Sequence, residues 1–231
     1  MDQTPKIVVI IPAFNEENAV GNVLHDLPKH LLQAIIVVNN NSKDTTRQQA
    51  EKAGVIVIDE PRQGYGYACL KGMEYVSLHN LNPDIIVFLD ADYSDYPEQL
   101  PLLTAPIQYQ GFDMVIGSRA LGGRKKGSMT MPQIFGNWLA TRLISIFYKM
   151  HYTDLGAFRA IKWTALQQMN MQDKTYGWTV EMQLKAAKMK MKVTEVAVMY
   201  RVRIGFSKIS GTVKGTVLAG YKIITTIFKY L

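Results

Sequence analysis

Two carboxylates, Asp90 and Asp92, flank one small residue, Ala91, directly after the apolar run 85–89. A strand ending there brings both acids to one rim of a sheet, within reach of a single hard cation. Mg2+ and Mn2+ accept carboxylate and phosphate oxygens, so the pair reads as a cation and phosphate site. The ordinary alternative is an acid capping a helix after a strand, and so short a pattern does not decide between the two. Two further acids are candidates for general-base work, which requires a carboxylate within hydrogen-bond reach of the proton it takes. They are Asp154, in Thr153-Asp154-Leu155-Gly156, and Glu181, near the start of a predicted helix. Each also has a structural reading: Asp154 as a turn cap or partner of Arg159, Glu181 as an acid favoured at a helix N-terminus. The four histidines are scattered without ligand spacing, and the single Cys69 excludes a disulfide framework and a cysteine zinc site.

The elements that must position these groups alternate along the first half of the chain. Apolar strand-like runs at 6–11, 34–38, 55–58, 85–89 and 113–117 are separated by helical spacing at 17–27, 44–53, 65–78 and 98–109. Continuous apolar strands between helices indicate a mostly parallel sheet covered on both faces. Ligands of such sheets sit beyond the carboxyl ends of the strands. Polar groups collect there: Pro12-Ala13-Phe14-Asn15-Glu16, Asn39-Asn40-Asn41-Ser42, Asp90-Ala91-Asp92 and Gly117-Ser118-Arg119. Gly64-Tyr65-Gly66, before the third helix, reads as a turn beside that rim. The second half is less regular, with a basic glycine-rich loop at 122–127, helices at 133–150 and 179–190, a strand at 193–198 and a basic loop at 200–208.

Hydrophobic residues make up 48% of the 231 and charged residues 19%, which predicts a packed core rather than disorder. The net charge of +7 lies mainly in the second half. It suits a phosphorylated small molecule or an anionic lipid surface; no zinc knuckle, helix-turn-helix or aromatic RNA-binding pattern accompanies it, so nucleic acid is not an expected partner. The first residues do not read as a signal peptide, and a cytoplasmic setting is expected. The tail 212–231 has the length of a membrane span, but Lys214, Lys222 and Lys229 are spread through it. Val213, Val217, Tyr221, Ile224, Phe228 and Leu231 form a stripe at helical spacing, predicting an amphipathic helix that either packs on the domain or lies on a membrane. The expected organisation is a catalytic domain at 1–211 and this helix at 212–231.

Six segments together resemble the family 2 glycosyltransferases, and most closely the branch of dolichol-phosphate mannosyltransferases and related polyprenyl-phosphate glycosyltransferases. They are Ile10 to Glu16, Val37 to Thr46, Leu89 to Glu98, Val115 to Arg119, Thr153 to Arg159, and Gly205-Phe206-Ser207-Lys208. The resemblance implies a GT-A fold: a Rossmann-like α/β structure with a mostly parallel sheet flanked by helices. It implies that Pro12, Ala13, Asn15 and Glu16 line a nucleotide pocket, that Asn39 and Asn40 face base and ribose, and that Asp90, Ala91 and Asp92 meet ribose, diphosphate and metal. Arg119 is implied beside the phosphates, and Arg203 as the clamp on the diphosphate within a closing loop that includes Ser207 and Lys208. Arg201 competes for that role, because the spacing to Ser207 is off by one from the family pattern.

Three departures qualify this. Asn39 and Asn40 stand where the family usually has acids; an amide offers one acceptor oxygen and two donors, which leaves UDP and GDP both open. Ser94 stands where the mannosyltransferases place a further metal ligand, so its hydroxyl or a water must complete the shell. The helix from Gln133 lacks an arginine for an acceptor phosphate, with Gln133, Arg124, Lys125 and Lys126 as substitutes. The leading expectation is an inverting, metal-dependent transfer of a hexose from UDP- or GDP-sugar to a polyprenyl phosphate at the cytoplasmic membrane face. A hydroxyl acceptor on a glycolipid or polysaccharide, using Asp154 or Glu181 as base, and a non-catalytic nucleotide-sugar-binding protein are the alternatives.

Overall fold

The computed structural model describes residues 4–205 and 213–231. The chain runs β1 (Ile7–Ala13), α1 (Val20–Asp26), β2 (Ala34–Asn39), α2 (Thr46–Lys52), β3 (Ile56–Asp59), α3 (Tyr65–Leu78), β4 (Ile85–Phe88), α4 (Leu100–Gln110) and β5 (Met114–Ser118). It continues through α5 (Met131–Tyr148), β6 (Arg159–Lys162), α6 (Trp163–Met169), α7 (Trp178–Lys188), β7 (Val193–Ala197) and α8 (Val213–Lys229). The strands form one sheet in the order β3-β2-β1-β4-β6-β5-β7. Only β6 runs against the others, pairing antiparallel with both β4 and β5.

The period of two along β1 divides the core. Val8 and Ile10 point into the cluster beneath α3, α5 and α7, whereas Ile7, Val9 and Ile11 point into the cluster beneath α1 and α4. Both faces of the strand are therefore dry, which is why its sequence is an unbroken β-branched run. The predicted strands and helices of the first half all appear, with ends shifted by a few residues. α5 begins two residues before its predicted start, because Thr130 and Gln133 form a reciprocal capping box ahead of Pro132 in the first turn.

β6 and α6 were not legible in the sequence. β6 is four residues, Arg-Ala-Ile-Lys, with charges at both ends. Its Arg159 is fully buried, donating to the carbonyls of Leu155, Gly156 and Thr179 instead of pairing with Asp154. The tail takes up one of its two predicted placements, packed on the domain. α8 packs on α5 and α7 through Ile223, Thr226, Ile227 and Tyr230. Most of its predicted apolar stripe stays outside that contact: Val217, Tyr221, Ile224 and Leu231 are exposed, while the half-exposed Phe228 touches α5 through Phe147. Among the described residues no helix is long and apolar enough to cross a membrane.

The start of α3 is closed by a close approach. Gly64 has a φ of 152°, and a Cβ on Gly66 would meet the Asp173 carbonyl oxygen at 2.1 Å. The Tyr67 N–H donates to the Lys174 carbonyl, so part of this helix terminus is satisfied by protein. Gly66→Ala is expected to cost about 1–3 kcal/mol through overpacking. Gly21→Ala, in α1 with nothing within 4 Å of the added Cβ, is expected to stabilise by up to about 1 kcal/mol through helix propensity. Urea unfolding midpoints should move in opposite directions; equal shifts would contradict the contact at Gly66.

Candidate active site

The carboxyl ends of β1, β2 and β4 open onto a cavity of about 340 Å³. Its wall comprises Pro12, Ala13, Phe14 and Glu16 after β1, Asn40 after β2, Gln63 to Tyr65 at the start of α3, Asp90 to Asp92 after β4, Thr175 and Tyr176 before α7, and Arg203 after β7. The loops after β1 and β2 are tied together. Asn15, at a φ of 53°, donates its N–H to Ser42 Oγ and accepts from the Lys43 N–H, while the Glu16 N–H donates to Thr46 Oγ1 at 2.8 Å. Asn15 thus shapes the loop but does not line the cavity.

Asp90 follows the fully buried β4, and its Oδ1 is buried without a hydrogen-bond partner. Burial first, and the neighbouring Asp92 charge second, push its pKa up to about 7. Asp92 accepts from the Ser94 N–H at 2.9 Å and from the Ser94 hydroxyl through Oδ1, while its Oδ2 lies 3.1 Å from Arg203 Nη1. Arg203 Nη2 reaches Glu16 Oε1 at 2.6 Å, and Arg203 Nε is buried without a partner. A buried acceptor with negative character and a buried cationic donor thus lie on the wall of one cavity, each with bonding capacity in reserve. Such groups are rare in native proteins, and a bound ion or ligand is one of the ways in which they are satisfied. Two carboxylates with one orphaned oxygen fit a hard divalent cation completed by ligand oxygens, and the orphaned N–H fits a phosphate oxygen. Among the described residues no cluster of three or more metal-binding side chains forms, so the protein alone would not complete such a shell.

The other sequence candidates are bound into the scaffold, and of these Asn40 also lines the cavity. Asn39 donates to Asp59 Oδ1 at 2.8 Å and accepts from the Ser42 N–H. Asn40 donates to the Glu60 and Arg62 carbonyls and accepts from the Gly64 N–H at 2.8 Å, so it holds the loop before α3. Arg201 is stacked on Tyr93 and Tyr96, with its guanidinium 3.4 and 4.1 Å from the ring centroids, and donates to the Tyr93 and Asp95 carbonyls. The arginine on the cavity wall is Arg203. Arg119 forms a bidentate pair with Asp154, its Nε at 2.8 Å and Nη2 at 2.6 Å, and its N–H donates to the same carboxylate. Burial alone would raise the Asp154 pKa; the Arg119 charge and hydrogen bonds outweigh it and hold the carboxyl below its ordinary value.

Both candidate bases are thus engaged in the scaffold. Glu181 is fully buried, accepting from the N–H groups of Gln172 and Asp173 and the Tyr230 hydroxyl, with Lys185 Nζ at 2.7 Å. Neither Asp154 nor Glu181 lines the cavity. Ser94 uses its hydroxyl to orient Asp92. Ser207 and Lys208 lie outside the described residues. Phe14, Gln63 and Thr175 line the wall without any sequence signal that singles them out. Tyr176 also lines the wall, whereas Trp178 is core, edge-on to Phe88 at 5.8 Å.

Comparison with known proteins matches this geometry. The model of Glycosyl transferase family 2 matches residues 8–171. A dolichyl-phosphate hexose transferase of Haloferax volcanii is 32% identical over 210 residues, covering 88% of this chain and 86% of its own. An undecaprenyl-phosphate mannosyltransferase of Micrococcus luteus is 28% identical over 222 residues, covering 91% and 90%. Glucosyl-3-phosphoglycerate synthase from Mycobacterium tuberculosis, solved with Mn2+, UDP and phosphoglyceric acid, superposes with a TM-score of 0.78 at 19% identity over 98% of this chain and 78% of that one. At that identity the likeness speaks for the shared GT-A architecture. With the family model spanning the strands that build the cavity and the relatives spanning nearly the whole chain, the protein belongs to glycosyl transferase family 2 and is a glycosyltransferase.

Proposed function

We propose that the enzyme transfers a hexose, with inversion, from a UDP- or GDP-sugar to a polyprenyl phosphate at the cytoplasmic face of a membrane. The observation that carries the donor half is the pairing, across one cavity, of the orphaned Asp90 Oδ1 with the orphaned Arg203 Nε. In this reading Asp90 and Asp92 hold Mg2+ or Mn2+, with Ser94 fixing the orientation of Asp92. A bound cation supplies neutralisation of the leaving diphosphate. Pro12, Ala13, Phe14 and Glu16 border the nucleotide, Gln63 and Gly64 border it from the α3 side, and Arg203 clamps the diphosphate. Arg119 acts at one remove, by fixing Asp154 and the loop before β6.

The acceptor half rests on the acids of the wall and on the relatives. Among the described wall residues the carboxylates are Glu16, Asp90 and Asp92. Arg203 pairs with the first and last, and Asp90 and Asp92 are the proposed cation ligands. A phosphate acceptor is already a nucleophile and needs positioning rather than a base. The named relatives act on dolichyl and undecaprenyl phosphates. In this reading the catalytic unit spans 1–211 and the tail from 212 onward is fastened to it through α8.

Incubation with Mn2+, a panel of UDP- and GDP-hexoses and polyprenyl phosphate is expected to release nucleotide from one donor only when the lipid is present. Release from none would sink the catalytic reading, and equal transfer to simple alcohols would favour a hydroxyl acceptor. Asp92→Asn and Arg203→Ala are each expected to lower kcat/KM by about 10²-fold or more, the scale of losing one preorganised charge at a reacting centre. Arg203→Lys should recover little, because one ammonium cannot replace the fork that spans Glu16 and Asp92.

Asp154→Asn separates scaffold from base. Breaking a buried ion pair costs about 3–5 kcal/mol, so unfolding stability should fall while turnover per folded molecule stays near that of the parent. A kcat loss of about 10³-fold in fully folded protein, within the usual range for a lost general base, would restore Asp154 as a base. Because the folded pKa is depressed, the parent's extra stability is present above the ordinary value of 3.8 and fades as pH falls through the lower folded value. Acid titration of stability should show this component in the parent and not in the variant.

A further inference from the structure

We propose that α5 and α8 together form a platform that docks on the surface of an anionic bilayer. α5 turns Ala140, Thr141 and Ile144 to the core and leaves Met131, Phe135, Trp138 and Ile146 exposed, at spacings that place them on one face of a helix. α8 likewise leaves Val217, Tyr221, Ile224 and Phe228 exposed while Ile227 is buried. The helices pack on each other: the Phe147 and Phe228 rings meet edge-on at 5.5 Å, and the Tyr148 hydroxyl donates to the Ile227 carbonyl at 2.7 Å. The two apolar stripes are therefore carried by adjoining helices. Exposed apolar surface of this kind on a globular protein marks a binding face.

Charge selects the occupant. Neither helix contains Asp or Glu, and Arg142, Lys149 and Lys229 are exposed among the apolar residues. Two copies of the chain meeting through this face by a twofold axis would set these cations against their own kind. Anionic headgroups complement them. The exposed rings of Phe135, Trp138, Tyr221 and Phe228 suit the depth of the headgroups, and helices too charged or too short to span lie in the interface plane. The platform stands independently of the acceptor proposed above.

Trp138 is a built-in reporter, since it is 58% exposed whereas Trp163 and Trp178 are 6% and 1% exposed. The full chain is titrated with vesicles of equimolar phosphatidylglycerol and phosphatidylcholine, with brominated lipid as quencher, and with phosphatidylcholine vesicles as control. The expected result is a blue shift and quenching on the anionic vesicles, weakened by salt. Phe135→Ser with Tyr221→Ser should weaken binding about tenfold or more, in proportion to the apolar surface removed. Arg142→Glu with Lys229→Glu, which leaves the apolar stripes in place, should do the same on the anionic vesicles only. Absence of vesicle binding by the parent, unchanged binding by both double variants, or sedimentation equilibrium showing a dimer that the serine variant abolishes would each overturn the platform. Turnover on a short-chain polyprenyl phosphate in detergent is measured alongside. If it persists without vesicle binding, the platform falls and the acceptor reading stands; vesicle binding without transfer has the reverse meaning.

Discussion

The rim of this sheet is organised by the cost of placing a carboxylate at the end of a dry strand. β4 is buried at every residue, and the chain leaves it through the buried Leu89 into Asp90, one of whose oxygens has no partner. An unpaired anion in such a place is unfavourable, and a second acid two residues on makes it more so. The surroundings answer at Asp92 rather than at Asp90. Ser94 donates twice to Asp92, and Arg203 reaches across from the segment after β7 to pair with it and with Glu16. The ends of β1, β4 and β7 are thereby held together by one guanidinium, while Asp90 Oδ1 has no such partner.

Three further charged residues hold the frame from outside the cavity. The Arg119–Asp154 pair fastens the end of β5 to the loop before the reversed strand β6. Glu181 fastens the segment before α7 by accepting from two successive N–H groups, Gln172 and Asp173. Asp154 and Glu181 are buried acids, and buried acids attract a catalytic reading. Their hydrogen bonds show why burial alone is a poor guide: a base needs an open lone pair facing the reacting atom, and these are filled from the backbone and from Arg119, Lys185 and Tyr230.

Much of the fold was legible because the parallel strands are buried on both faces and so read as unbroken β-branched runs, as in Ile7 to Ile11 and Ile35 to Val38. β6 was not, because a four-residue strand with Arg and Lys at its ends carries no such run; its Arg159 is stabilised by three carbonyls that only the folded chain brings near. Arg201 and Arg203 are two residues apart and alike in sequence. Their difference, an aromatic cage for one and two carboxylates for the other, depends on Tyr93, Tyr96 and Glu16, which are remote in the chain. Asn39 and Asn40 were placed at the right strand end, but their amides are engaged with Asp59 and the loop before α3, which no local pattern reveals. Periodicity identified the apolar stripe of α8 but left its partner open, since spacing defines a face without saying what the face meets.

That helix is also joined to the cavity by charge. Lys222 pairs with Asp173 at 2.9 Å, and the other oxygen of Asp173 accepts from the N–H groups of Thr175 and Gly177, on either side of Tyr176. Directly after α8, the Tyr230 hydroxyl bonds to Glu181, which holds the Asp173 N–H. The segment that carries Thr175 and Tyr176 onto the cavity wall is therefore built partly from contacts with α8. Gly66 gives the same segment its close approach to α3. On the proposed reading, the helix that meets the lipid surface and the loop that borders the cavity are one mechanical unit, so the orientation of the cavity toward the membrane would follow from the packing of α8 rather than from a flexible tether.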